Sequence, residues 1–341
     1  MRVRIFILIT CISFLSWLVS CRNNPYKVDI SSVKVDLKIQ RLEQDLFLSD
    51  PSELPQDIEV LKEKYTVFLQ LFGSVINAGE ISDSSYNDIM VSFCTDRLNN
   101  EVFSVVNQQY SDISWIEEEL EDAFRYYRYY FSGRNIPEVY TCITGFNASM
   151  ITLKDSIIGI SLDKYLGWDS EYYKMLNIYR YLAARMNSYN IVPDCMYAWG
   201  KTQWDFEDMK YPDSNVITEM IHEGKLKYFE QCMLPELKDT LLFGFSGDQM
   251  QFCRNNEGQM WQYLVEHDLL FSSDQMTRRK LTGEAPFTSF FTNESPGRAA
   301  VWIGFRIVES YMRNNRDMTL EGLMNEKDIQ GILGKARYNP Q

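Results

Sequence analysis

His222 and Glu223 stand side by side in the stretch VITEMIHEGKLKYF, Val216 to Phe229. A His-Glu pair opens the zinc-peptidase signature H-E-x-x-H. In that signature two His at i and i+4 share one helix face and one metal, and the Glu is general base towards the metal-bound water. A third ligand arrives from downstream and water completes the tetrahedron. Here the position four after His222 is Leu226, which cannot coordinate. Glu257, 35 residues after His222, has the spacing of a third ligand. Lys225 lies three residues after His222, on a neighbouring part of the same face. Its ammonium would repel a divalent cation and is placed to pair with Glu223 or Glu257 instead. Such a set does not make a tight zinc site. The residues therefore predict a vestigial centre of His222, Glu223 and Glu257 that binds no catalytic zinc and no other cofactor. A peptidase with an irregular metal site is the alternative. A weaker one is a glycan-binding surface protein, suggested by MYAWGKTQW and by 21 Tyr, 20 Phe and 7 Trp. The other histidine, His267, reads as a structural residue in a loop or at a helix end. No G-x-S-x-G and no phosphate-cradling glycine loop is present.

The elements that must position these groups are legible in outline. Asp213, Ser214 or Asn215 offers the cap for the His222 helix, and Ile217, Ile221 and Leu226 give it an apolar face. EVYTCITGF and DSIIGISLD read as strands, SEYYKMLNIYRYLAARMNSYN as a helix, and PDCMYAWGKTQWDFEDMKYPDSN as irregular. Downstream, SGDQMQFCRNNEGQMWQYLVEHDLL reads as one helix bearing Glu257. Glu294 to Tyr311 reads as another, with Val301, Phe305 and Val308 on one stripe. In it Gly297 and Gly304 permit close backbone approach, and Arg298 points to the cleft beside Glu223. Upstream, Val35 to Ile39 alternates like an edge strand, and most of the chain to Phe131 is helical. The order predicts an α+β fold, predominantly helical: a zincin-like domain with a small β-sheet packed on the HE-bearing helix.

The 341 residues are 45% hydrophobic, enough for one large core. The formal charge is −13 with no Lys/Arg cluster, which excludes a nucleic-acid binder. The N-terminus MRVR is followed by IFILITCISFLSWLV, a largely apolar run of fifteen residues without a charge, short for a membrane span and suited to an export signal. Leu18-Val19-Ser20-Cys21 resembles a bacterial lipobox, so Cys21 is expected to be lipidated and to hold the chain to a membrane. This divides the chain into a signal peptide (1–20), a tether (21–34), a mostly helical N-terminal region (35–134) and a zincin-like region (135–341), the last two forming one globular unit. The five later cysteines are widely spaced and fit neither a zinc ribbon nor a dense disulfide scaffold.

The lipobox Cys together with EMIHEGKLKYF, CMLPELKDTLLFGFS, NNEGQMWQYLVEHDLLFS, GEAPFTSFF, ESPGRAAVWIGFRIVESYM and ILGKARYNP resembles the gliding motility lipoprotein GldB family of the Bacteroidota, over nearly all of the mature chain. The resemblance implies a periplasm-facing, membrane-anchored envelope lipoprotein tied to gliding and its linked secretion apparatus. It also implies kinship with zincin-like peptidases whose metal site has eroded, leaving a scaffold or a binder of envelope proteins or peptides.

Overall fold

The computed structural model describes residues 24–340. The lipobox and Cys21 lie outside the described residues. Helices α1 (Leu42–Phe47), α2 (Leu54–Val75), α3 (Tyr86–Thr95), α4 (Arg97–Gln109) and α5 (Ser114–Tyr130) follow a short strand, β1 (Ile39–Arg41). Three further strands come next, β2 (Glu138–Cys142), β3 (Met150–Leu153) and β4 (Ile157–Ser161). The rest is helical: α6 (Glu171–Met175), α7 (Arg180–Ala183), α8 (Ile191–Gln203), α9 (Phe206–Met209), α10 (Val216–Met233), α11 (Asp239–Phe243), α12 (Gly247–Asn255), α13 (Glu257–Glu266), α14 (Gln275–Thr282), α15 (Ala299–Asn314), α16 (Leu320–Asn325) and α17 (Ile329–Ala336). The fold is thus predominantly helical around one small mixed sheet.

The sheet runs β1-β2-β4-β3, with β1, β2 and β4 parallel and β3 antiparallel on the edge. Side chains alternate across it, as a pleated strand requires. Tyr140, Cys142, Ile151 and Ile157 face a core built by α1–α3. Val139, Ile158 and Ile160 face the larger core that contains α5, α8, α10 and α15. Phe68 of α2 stacks on Tyr140 at 4.2 Å, and a Cβ on Gly159 would strike the Phe68 ring. Both regions either side of residue 134 share this core, and β1 pairs with β2 across the boundary.

Several elements differ from the sequence reading. The first strand starts at Ile39, where the alternation ends, because pairing with β2 and not the alternation decides it. The stretch 171–190 is not one helix: Asn177 takes a left-handed φ of 54° and Tyr179 is extended, which leaves α6 and α7 as single turns. The stretch read as irregular instead carries the thirteen-residue α8. Its Pro193 sits in the first turn, where the missing N–H has no intrahelical partner to lose. The Glu257 region breaks at Asn256 into α12 and α13, so Glu257 opens a helix. The late helix begins at Ala299; Arg298 precedes it in a left-handed turn. Residues 24–33, read as tether, lie against the body: the Asn24 amide donates to the Pro235 carbonyl at 2.6 Å, Tyr26 Oη donates to Glu309 at 3.0 Å, and Arg125 donates to the carbonyls of Ile30 and Val33.

The central helix α10 is nearly surrounded. Asn215, one of the three candidate caps, accepts from the Thr218 N–H at 3.1 Å. Ile217, Ile221 and Leu226 are fully buried. Gly224 of α10 meets Gly304 of α15 backbone to backbone; a Cβ on either would overlap the other helix's main chain. That crossing lets two long helices approach as only glycines allow.

Candidate functional site

Neighbouring residues on a helix point about 100° apart, so His222 and Glu223 need not serve one site, and here they do not. His222 turns into a closed box. Phe206 packs edge-on at 5.1 Å, and Tyr211 Oη lies 3.0 Å from Nδ1. Lys225 Nζ donates to Tyr211 Oη at 3.2 Å and to the Glu326 carbonyl at 2.8 Å. Tyr211 Oη thus accepts from Lys225 and shares a further hydrogen bond with Nδ1 whose direction follows the imidazole tautomer. Burial, then the Lys225 and Lys201 charges, push the His222 pKa down to about 3. Burial likewise lowers Lys225, to about 7, against the attraction of Glu326. Lys225 is 1% exposed and belongs to this box, with Tyr211 and the Glu326 carbonyl as partners in place of the expected Glu223 or Glu257.

Glu257 is far from either role. Its carboxylate accepts from Arg306 Nε at 3.2 Å and from Tyr338 Oη at 2.8 Å. His222, Glu223 and Glu257 therefore do not converge, and among the described residues no three His, Cys, Asp or Glu side chains do. The sequence spacing of 35 residues fails because α10 ends at Met233 and α11 and α12 carry the chain away before Glu257 appears. The trio does not fit a zinc ion. His267 is exposed at the C-terminal end of α13 against Tyr263, with ring centroids 4.2 Å apart. Cys94, Cys142, Cys195, Cys232 and Cys253 are buried free thiols.

Glu223 instead faces a cavity of about 1090 Å³ between α8, α10 and the loops around residues 145–150 and 176–186. Helix α8 presents Asp194, Tyr197, Ala198 and Lys201 to it, spaced 3, 4 and 7 apart on one face; α10 presents Glu219 and Glu223, four apart. Tyr197 Oη donates to Glu223 Oε2 at 2.7 Å. Burial first, then the Glu223 charge, hold the phenol well above its ordinary pKa, so it remains a donor. Beneath it lies a second polar layer. Lys227 and Glu230 are fully buried and paired at 2.7 Å, with Lys227 Nζ 4.2 Å from the Tyr197 ring centroid. At one end Arg185 pairs with Asp194 at 2.8 Å, and Arg298 pairs with Glu284 at 3.2 Å while donating to the Phe243 carbonyl. Arg298 thus lines the same cavity as Glu223, but its ionic partner is Glu284. Arg185, Arg298, Glu284 and Tyr179 also border an adjoining cavity of about 980 Å³.

Tyr197 and Lys201 were missed by sequence reasoning because α8 was read as irregular. The 3-4-7 spacing of polar residues behind a first-turn Pro was the available signal. Trp199 and Trp204, which suggested a glycan platform, are buried in the core.

Fold and site together define a helical α+β protein with a mixed-charge cleft where two helices meet beside a sheet edge. Its sequence matches the family model described as gliding motility protein GldB over residues 23–340, and the chain belongs to that family. It is accordingly a gliding-motility-associated lipoprotein of the cell envelope. No described helix is long and apolar enough to cross a membrane. No match to the chain was found among curated proteins or among solved structures.

Proposed function

We propose that this chain is anchored through a lipid on Cys21, faces the periplasm, and works by holding an envelope protein or peptide in the Glu223 cleft without catalysis. The observation that carries this reading is the Tyr197–Glu223 hydrogen bond on the cleft floor. The phenol fixes one carboxylate oxygen of Glu223 and leaves the other open to a ligand, while among the described residues no set of metal ligands stands beside it to activate a water. The layout supports kinship with zincin-like peptidases at different positions from those the H-E pair suggests. Helix α8 carries Tyr197 and Lys201 at i and i+4, α10 contributes a carboxylate, and Ser149 and Met150 bring the antiparallel edge strand to the lip. In that frame a phenol and an ammonium stand where two metal ligands would, and an ammonium excludes a divalent cation.

The experiment is complementation of a deletion strain, reading the family's motility and secretion phenotype. Ala198→Trp fills the cleft from α8, and is expected to abolish complementation while the protein stays folded, abundant and membrane-bound. Cys21→Ser is expected to release the chain from membranes or leave it unprocessed. Full complementation by the Trp variant at wild-type abundance rules out the cleft as the working site, and membrane retention of a normally processed Ser variant rules out the anchor.

A further inference from the structure

Taking the cleft as the working site, its unpaired charges say what it holds. Eight charged side chains line the larger cavity: Lys164, Arg185, Lys201, Arg298, Asp194, Glu219, Glu223 and Glu284. Arg185 and Arg298 are neutralised by Asp194 and Glu284, and Glu219 is met by Arg278 at 3.3 Å and by the Thr282 hydroxyl. Three form no ion pair among the described residues: the half-buried Glu223 carboxylate, the half-buried Lys164 ammonium, which feels Asp163 only through space, and the exposed Lys201 ammonium at the rim. Glu223 Oε2 takes the Tyr197 proton, and Oε1 has no protein donor among the described residues. Lys164 donates only to the Phe146 carbonyl, at 3.3 Å, and burial lowers its pKa. A charge turned into a partly enclosed space without a counter-ion is an invitation to one from outside.

We infer that the cleft binds a short free peptide, its ammonium on Glu223 and its carboxylate on Lys201 and Lys164. Phe146, Met150, Ile178, Leu182 and Met186 add apolar lining between the charges, which takes side chains or methylene stems. Tyr179, at the junction with the second cavity, is 69% exposed and gives a longer peptide a surface to lie on. This rests on the cleft being the working site, and its failure is separable from failure of that reading.

The test uses the full chain in detergent and four probes: tetra-alanine, its N-acetyl form, its C-terminal amide and the doubly capped peptide, titrated by calorimetry and by amide chemical shifts. Tetra-alanine is expected to bind with shifts at Tyr197, Lys201 and Glu223, and each single cap to weaken it by about tenfold, as loss of one charge-assisted contact does. In Glu223→Gln the acetyl cap should no longer matter, and in Lys201→Gln the amide cap should no longer matter; each variant keeps its sensitivity to the other cap. Absence of tetra-alanine binding, equal binding of the doubly capped peptide, or cap penalties unchanged in both variants each overturns the inference. If the peptide fails while Ala198→Trp still abolishes complementation, the cleft stands as the working site with a ligand of other chemistry.

Discussion

Replacing Gly304 by alanine is expected to cost about 3 kcal/mol of folding stability, at the upper end of overpacking penalties. The added methyl would sit on the Met220 carbonyl oxygen of α10, and Gly224 faces the same crossing from the other side. Main chain cannot rotate aside as a side chain can, so the two helices must part. They carry Ile217, Ile221 and Phe229 on one side and Ile303, Ile307 and Val308 on the other, all buried in the same core. Urea denaturation of wild type and Gly304→Ala measures this as a fall in midpoint. A midpoint unchanged from wild type would mean that α10 and α15 do not cross at these glycines. Gly334, whose Cβ meets no neighbour, is the control position, where alanine should be harmless.

Lys227→Met should make folding stability strongly pH-dependent. Lys227 and Glu230 lie one turn apart on α10 with no exposure to speak of, and Glu230 Oε1 has no protein partner. Burial pushes Glu230 up to about 7 even with Lys227 beside it, and burial lowers Lys227. Removing the ammonium removes the main influence holding the carboxyl down, so Glu230 should rise further. A raised folded pKa means that the folded chain keeps a proton the unfolded chain releases near pH 4.5. Stability from this group is therefore full below about pH 4.5 and falls as pH rises through the folded pKa. At pH 8 the variant should lose about 3 to 5 kcal/mol, the cost of stranding one half of a buried pair. At pH 5, with Glu230 neutral in the fold, the loss should be clearly smaller. The double change Lys227→Met/Glu230→Leu should recover most of the stability at pH 8. Equal losses at both pH values would show that the pair is not buried as described. The pair also bears on the cleft, since Lys227 lies against the Tyr197 ring that orients Glu223.

What the sequence disclosed and what it concealed have physical reasons. The helix from Val216 was visible because Asn215 is a strong cap and Ile217, Ile221 and Leu226 keep helical spacing. The strands around 140 and 158 were visible because β-branched residues cluster between turn residues. Helix α8 was concealed by Pro193, which breaks a helix only beyond its first turn, and by a mixed composition that comes from facing core on one side and cleft on the other. The 171–190 stretch has helical composition, but a positive φ at Asn177 ends the run, and no local pattern marks it. Most consequential was the partner of Glu223. An adjacent His drew attention to His222, yet adjacency along a helix separates side chains in space. The true neighbour, Tyr197, is on another helix and was found only through the packing of α8 on α10, where Gly200 makes room for Phe229. Lys227 and Glu230 have the spacing of an ordinary surface i,i+3 pair, and nothing in the local sequence marks that face of α10 as buried.

Whether the cleft binds without metal-assisted hydrolysis is decided by the metal content of the full chain purified from its host without added metal. Mass spectrometry is expected to find far less than one zinc per chain, and no chelator-sensitive peptidase activity should accompany it. One zinc per chain, with peptidase activity that a chelator removes and that Glu223→Gln abolishes, would instead make this chain a working metallopeptidase.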